Sequence, residues 1–257
     1  MPGLGGISQP GQRSIRIRLL LLALLPLGVV LPLLVAVLAI WGGELFDKLL
    51  VAKVRTDLAV AHGYYERVAE GVGRSVESLA GSERLVHTFD LPLSSRQTAL
   101  ADLLDAARQT QKLDFLRFFD VDRSQREALS WPVVKAALGG MPQTETEAFS
   151  PEQLADIDPK LAAGARTTIL PTANAEPDPR QFEERGLVIH TAAPVRDANG
   201  TVIGVLAGGI LLNKNLDFID RLNEIVYPEG VLPFSGAGTA TLFLGDVRVA
   251  TNVRLFQ

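Results

Sequence analysis

Two arginines and three hydrogen-bonding residues stand on strand-like stretches of this chain, and their chemistry is the first thing to weigh. Arg117 lies in "LDFLRFFDVDRS", where Leu113, Phe115, Arg117 and Phe119 alternate with Asp114, Leu116, Phe118 and Asp120. Period-2 alternation predicts a strand, so the guanidinium shares a face with aromatic rings. A buried arginine is costly unless an acid or a bound anion neutralises it. Arg166 and Thr168 occupy "ARTTIL" with the same parity, and His190 and Thr191 are consecutive in "GLVIHTAAPVR". Consecutive strand residues point to opposite faces, so only one of that pair can face a common pocket. A single histidine in an apolar strand is more often a core residue than a ligand contact.

Other chemistry is excluded by composition. Cysteine is absent, and the three histidines (His62, His87, His190) are scattered. Thiol catalysis, disulfides and Cys- or His-rich metal centres are therefore not expected, nor is a bound cofactor. No Ser/His/Asp spacing or paired carboxylate pattern marks a hydrolase. The balance of 29 Asp+Glu against 25 Lys+Arg lacks the basic face that nucleic acid requires.

The elements that must position these residues begin with "LLLLALLPLGVVLPLLVAVLAIW", residues 19–41. This is about 23 residues without a charge, long enough to cross a bilayer as a helix. Pro26 and Pro32 are compatible with a membrane helix. Arg13, Arg16 and Arg18 precede the run, whereas Glu44 and Asp47 follow it. The positive-inside rule then places residues 1–18 in the cytoplasm and the remainder outside the inner membrane. The competing reading is a cleaved signal peptide, whose apolar core is shorter.

From 43 to 86 the spacing of Val54, Leu58, Ala61, Tyr65, Val68, Val72, Val76 and Leu79 predicts one long helix with an apolar seam, a stalk of about 60 Å. The seam fits either a homodimer partner or the domain's own sheet. Ser94 or Ser95 is a good N-cap for a second helix running to about Gln111. Residues 142–186, rich in Pro, Thr, Glu and Ala, read as a loop region. It holds a short helix begun at Ser150-Pro151-Glu152 and one plausible strand at 165–170.

Residues 186–212 have the grammar of a hairpin turned at Asp197-Ala198-Asn199-Gly200. The run "VIGVLAGGILL" is about 11 residues, too short for a membrane span, and its glycines are wrongly spaced for a dinucleotide loop. It predicts a buried strand with something in close approach at Gly204 and Gly208, a helix or a ligand. Asn213 fits the cap of a helix ended by Tyr227-Pro228, and "TATLFLGDVRVATNVR" predicts a second hairpin turned at Gly245-Asp246.

This order of elements resembles the Cache domains, the extracytoplasmic sensors of bacterial histidine kinases and chemoreceptors. Ala193-Pro194-Val195 to Gly200 and on to Gly204-Val205-Leu206 looks like the family's final strand pair. The segment 239–254 is similar to the opening hairpin of a second such module. Trp131, in "SWPVV", does not match the arrangement of the amino-acid-binding branch.

The resemblance implies an α+β chain organised as a cytoplasmic tail (1–18), a transmembrane helix (19–41), a stalk helix (43–86), a membrane-distal PAS-like module with an antiparallel sheet (87–226) and the start of a membrane-proximal module (227–257). It further implies a small-molecule ligand and a sensory role, in a histidine kinase or alternatively a chemoreceptor, with no catalytic module in these residues. For a small carboxylate ligand, Arg117 and Arg166 are the suited anchors, with Thr168, His190 and Thr191 as further contacts. A homodimer through the stalk is the expected assembly. A ligand-free, membrane-anchored scaffold is the reading from a different class.

Overall fold

A computed structural model describes residues 15–127, 131–170, 179–228 and 238–253, so Arg13 and most of the expected cytoplasmic tail lie outside the described residues. Contacts divide the chain into two units, Met1–Leu58 and Ala59–Gln257.

In the first unit the chain is helical from Ile15, the start of helix α1, Ile15–Ala80. The described side chains between 22 and 38 are all exposed, Leu22 at 77 % and Leu33 at 65 % among them. Among the described residues, no helix is long and apolar enough to cross a membrane. The side chains described without interruption run only over 22–38, and those of Leu21 and Ala39 lie outside the described residues.

The second unit is built on a sheet. After α1 the chain forms α2 (Glu83–Thr88), α3 (Leu93–Thr110), β1 (Phe115–Asp120), α4 (Val121–Glu127), α5 (Pro132–Leu138) and β2 (Gln143–Phe149). Next come α6 (Pro151–Ile157), α7 (Pro159–Ala165), β3 (Thr167–Thr168), β4 (Phe182–Glu183), β5 (Gly186–Arg196) and β6 (Val202–Leu211). It ends with α8 (Leu216–Val226), β7 (Thr241–Leu244) and β8 (Val247–Thr251). The main sheet is antiparallel, in the order β1-β6-β5-β2. The chain is thus α+β, as its patterning predicts.

Each face of the sheet carries its own core. On one face Ile189, Ala193 and Leu206 pack with Val72, Val76 and Ala80 of α1 and with Phe218, Ile219 and Leu222 of α8. On the other, Phe115, Phe119, Val188 and Ala192 pack with Trp131, Val133 and Val134 around α5 and with Leu154 and Leu161 of α6 and α7. The apolar seam of α1 divides accordingly. Val72 and Val76 are buried on the sheet, with Ala61, Tyr65, Val68 and Leu79 packed beside them, whereas Val54 (58 %) and Leu58 (67 %) are exposed.

The β5–β6 hairpin forms as its sequence predicts. Gly200 takes φ +81°, and the Asp197 carboxylate accepts from the N–H groups of Asn199 (2.9 Å) and Thr201 (2.8 Å). A Cβ at Gly208 would stand 2.9 Å from Leu116 Cδ1 and 3.1 Å from Val76 Cγ2. The expected close approach is therefore made by the neighbouring strand and by α1.

Five local expectations need correction. The long helix ends at Ala80, because Gly81 interrupts it and Ser82 caps α2 by accepting from Leu85 N–H at 3.3 Å. Helix α3 begins after Pro92, which leaves Ser94 and Ser95 inside it. Only Thr167 and Thr168 of the strand expected at 165–170 are paired, and they pair with β4 rather than the main sheet. The region read as loop holds β2, an edge strand of that sheet, although the Ser150-Pro151-Glu152 helix is present with a complete capping box.

Asn215, not Asn213, caps α8, by accepting from Phe218 N–H at 3.0 Å. Asn213 is buried instead. It accepts from Leu187 N–H (2.8 Å) and donates to the carbonyls of Ala165 (2.8 Å) and Arg185 (3.0 Å). Since each buried group left without a partner costs about 1–3 kcal/mol, Asn213→Ala is expected to lower stability by about 3 kcal/mol in urea unfolding.

Candidate functional site

The sheet's edge strand β2 reads "QTETEAF". Its even positions Thr144 and Thr146 face α1, while Gln143, Glu145, Glu147 and Phe149 face the α5–α7 side. On the α1 side a cleft of about 550 Å³ opens between helix and strand. Tyr65, Glu66, Glu70, Gly73, Arg74 and Glu77 form one wall, and 144–146 form the other.

Polar contacts hold the two walls together. Tyr65 Oη is hydrogen-bonded to Thr146 Oγ1, and a Cβ at Gly73 would stand 2.7 Å from Thr144 Oγ1. Only glycine lets the helix come this near. Thr144 Oγ1 in turn donates to Thr191 Oγ1 at 2.9 Å, which donates to the Gln143 carbonyl at 2.9 Å. Carboxylates dominate the lining, and Arg74 is bound by Glu70 at 3.3 Å.

On the opposite face lies His190, fully buried, with its ring edge-on to Phe149 (4.8 Å) and Trp131 (5.8 Å). Its Nε2 is 2.9 Å from Glu147 Oε2, and its Nδ1 has no hydrogen-bond partner among the described residues. Burial pushes the imidazole pKa down to about 4. The ring is therefore neutral at pH 7, and the contact is a hydrogen bond from Nε2–H to a carboxylate rather than an ion pair. Burial, with some repulsion from Glu145, raises the Glu147 pKa.

A histidine that must stay neutral makes folding pH-dependent, because the unfolded chain takes up its proton near pH 6.5 and the folded chain only near pH 4. Stability is complete above about pH 6.5 and is lost as the pH falls through that window, by at most about 3 kcal/mol. Glu147, with its raised pKa, acts in the opposite direction at the acid end. Urea midpoints between pH 7 and pH 4 are expected to fall in the wild type and to fall less in His190→Gln.

The five residues singled out from the sequence do not form one cluster. Arg117 is on β1, where its Nη1 donates to the Asp156 carbonyl at 2.8 Å and lies 3.7 Å from the Asp156 carboxylate. Its internal partner is thus on α6. Arg166 caps the end of α7, its guanidinium 3.6 Å over the Phe182 ring and 3.4 Å from Glu184. Thr168 is exposed on β3. His190 and Thr191 lie on opposite faces of β5, and Thr191 is the one behind the cleft.

The cleft residues themselves were missed. Their signal was the strict Thr/Glu alternation of 144–147 in a stretch whose composition reads as loop. Among the described residues no group of three metal-ligating side chains is placed to hold an ion.

No protein-family model matches the chain, and no curated protein does. Among solved structures, the chain is similar to the periplasmic domain of Vibrio cholerae LuxQ, at 13% identity over 79% of each chain with a TM-score of 0.46. A selenomethionine form of that domain gives 13% identity, 77% and 78% coverage and 0.45. A domain of a sensory box/GGDEF family protein from Vibrio parahaemolyticus gives 15% identity over 65% of this chain and 61% of that one, with a TM-score of 0.40. At such scores function has to be argued from this chain's own residues.

Proposed function

We propose that this chain is the extracytoplasmic, small-molecule-sensing input region of a membrane-anchored bacterial signalling receptor, of the sensor histidine kinase class. In this reading the apolar segment 19–41 anchors the chain with its N-terminus in the cytoplasm. The Cache-like module 87–226 is the sensor, residues 227–257 begin a second module, and the helix joins two copies.

One observation supports the reading above the others. Helix α1 runs unbroken from the exposed apolar stretch to the residues that wall the cleft. A ligand wedged between that helix and β2 therefore acts directly on the element that carries the anchor, as a two-state transmitter requires. A ligand-free scaffold gives no reason for a glycine-dependent cleft at this place.

The ligand is proposed to be a small basic molecule. Glu66, Glu70 and Glu77 line the helix wall of the cleft, and Arg74 beside them is taken by Glu70. Arg117 and Arg166, the anchors suited to a carboxylate, are each engaged by an acidic residue elsewhere.

A thermal-shift screen of the full chain in detergent micelles, with panels of small amines and small carboxylates, tests this. An amine at about a hundred times its Kd should stabilise by about 2.7 kcal/mol, and Glu77→Gln, in the helix wall of the cleft, should remove most of that gain. Stabilisation by neither panel, or an equal gain in Glu77→Gln, would refute the ligand assignment.

A further inference from the structure

We infer that the His190–Glu147 contact is a proton-operated latch: acid weakens the bond that holds edge strand β2 to the sheet, and β2 then moves away from α1. The inference goes beyond ligand sensing and does not depend on which molecule the cleft takes.

The geometry is that of a bond made strong by charge and left without a fallback. Glu147 projects from the edge strand, and its carboxylate accepts from Nε2–H of a fully buried ring. A hydrogen bond to an ionised carboxylate is about twice as strong as a neutral one. Proton uptake at either site disturbs that arrangement. A proton on Glu147 turns the bond into a neutral one. A proton on Nδ1 pairs the ring with the carboxylate but buries a cation whose new N–H finds no acceptor among the described residues, since Nδ1 lies among aromatic rings. The two groups titrate as a pair, and both routes loosen β2.

The surroundings offer no relief. Across the sheet His190 is registered with Glu145 on β2 and with Gly209 on β6, which has no side chain. Glu145 is a second carboxylate on the same face and is engaged by Gln143 Nε2. From the helical side the ring meets Trp131 and Phe149. The guanidinium groups of Arg117 and Arg123 lie over the Phe119 ring, at 5.9 and 5.1 Å. On its other face the same strand is tied to α1 through Tyr65–Thr146 and to β5 through Thr144–Thr191. Strand β2 is thus the element that a change at His190 moves first, and α1 is what it moves against.

The chain has no cysteine, so the test uses full-length protein in nanodiscs with spin labels at Ser78→Cys on α1 and Ala148→Cys on β2, both exposed. In a Trp41→Phe background, Trp131 emission separately reports protonation of the adjacent imidazole by quenching. Between about pH 7 and about pH 4 a longer-distance component is expected to grow.

In Glu147→Gln, which keeps a neutral hydrogen bond, that component should be present already at pH 7 and should change with pH at least about fivefold less. His190→Gln, which retains a donor but removes the imidazole route, is the second variant and should respond less than the wild type. Quenching of Trp131 with no change in distance would overturn the latch. So would a pH response in both variants as large as that of the wild type. Either failure leaves the amine screen untouched, so the two readings fall separately.

Discussion

Gly204→Val is expected to prevent folding or to cost more than about 3 kcal/mol. Gly204 sits in β6 opposite Asp120 of β1 and Val195 of β5. A Cβ there would fall on the Phe118 ring and on the Phe119 carbonyl oxygen. The ring could turn aside, but the carbonyl belongs to the paired strand and can move only by breaking the β1–β6 ladder. Gly63→Ala is the matched control. A Cβ at Gly63 meets nothing within 4 Å, and alanine is the better helix former by about 1 kcal/mol. Urea unfolding of the two variants should move in opposite directions.

Trp131→Ala is expected to cost about 3–5 kcal/mol, the usual range for emptying a large aromatic from a core. The indole is 4 % exposed and touches the Phe115, Phe119, Phe149 and His190 rings, so its loss leaves a void that four neighbours must share. The substitution has a second readout that a neutral filler would lack. Water entering the void reduces the burial that holds the His190 pKa near 4, so the imidazole should titrate closer to its ordinary value of 6.5. Trp131→Phe should keep most of the stability and most of the pKa depression. An NMR titration of the His190 ring in the three proteins, beside their urea midpoints, checks both halves.

How much of this the sequence disclosed depends on how local the signal was. The β5–β6 hairpin is written in adjacent residues, Asn199-Gly200 between apolar runs, and the close approach at Gly204 and Gly208 could be inferred from glycines inside a strand. The α6 start was equally legible, because Ser150 and Gln153 cap each other within one turn. The edge strand β2 was not. Its Thr/Glu alternation is strand grammar, but both faces are polar, one against the hydroxyl-rich cleft and one against His190, so no apolar face gave it away.

The site was hidden for a different reason. Tyr65 and Thr146 meet across more than eighty residues of chain, and nothing near either position announces the other. Arginines on strands drew notice because a buried guanidinium must be neutralised. The structure shows each with its own partner on α6 or beside β4. A glycine such as Gly73 within a helix reads from sequence only as a weak point, whereas its role is to admit Thr144.

Whether a ligand acts between β2 and α1 can be read by hydrogen–deuterium exchange of the full chain, with and without a saturating amine identified by thermal shift. Slowed exchange is expected in β2 (Gln143–Phe149) together with the 65–77 portion of α1, with little change in β7–β8. Protection confined to the α5–α7 side of the sheet, around Arg117, would contradict it.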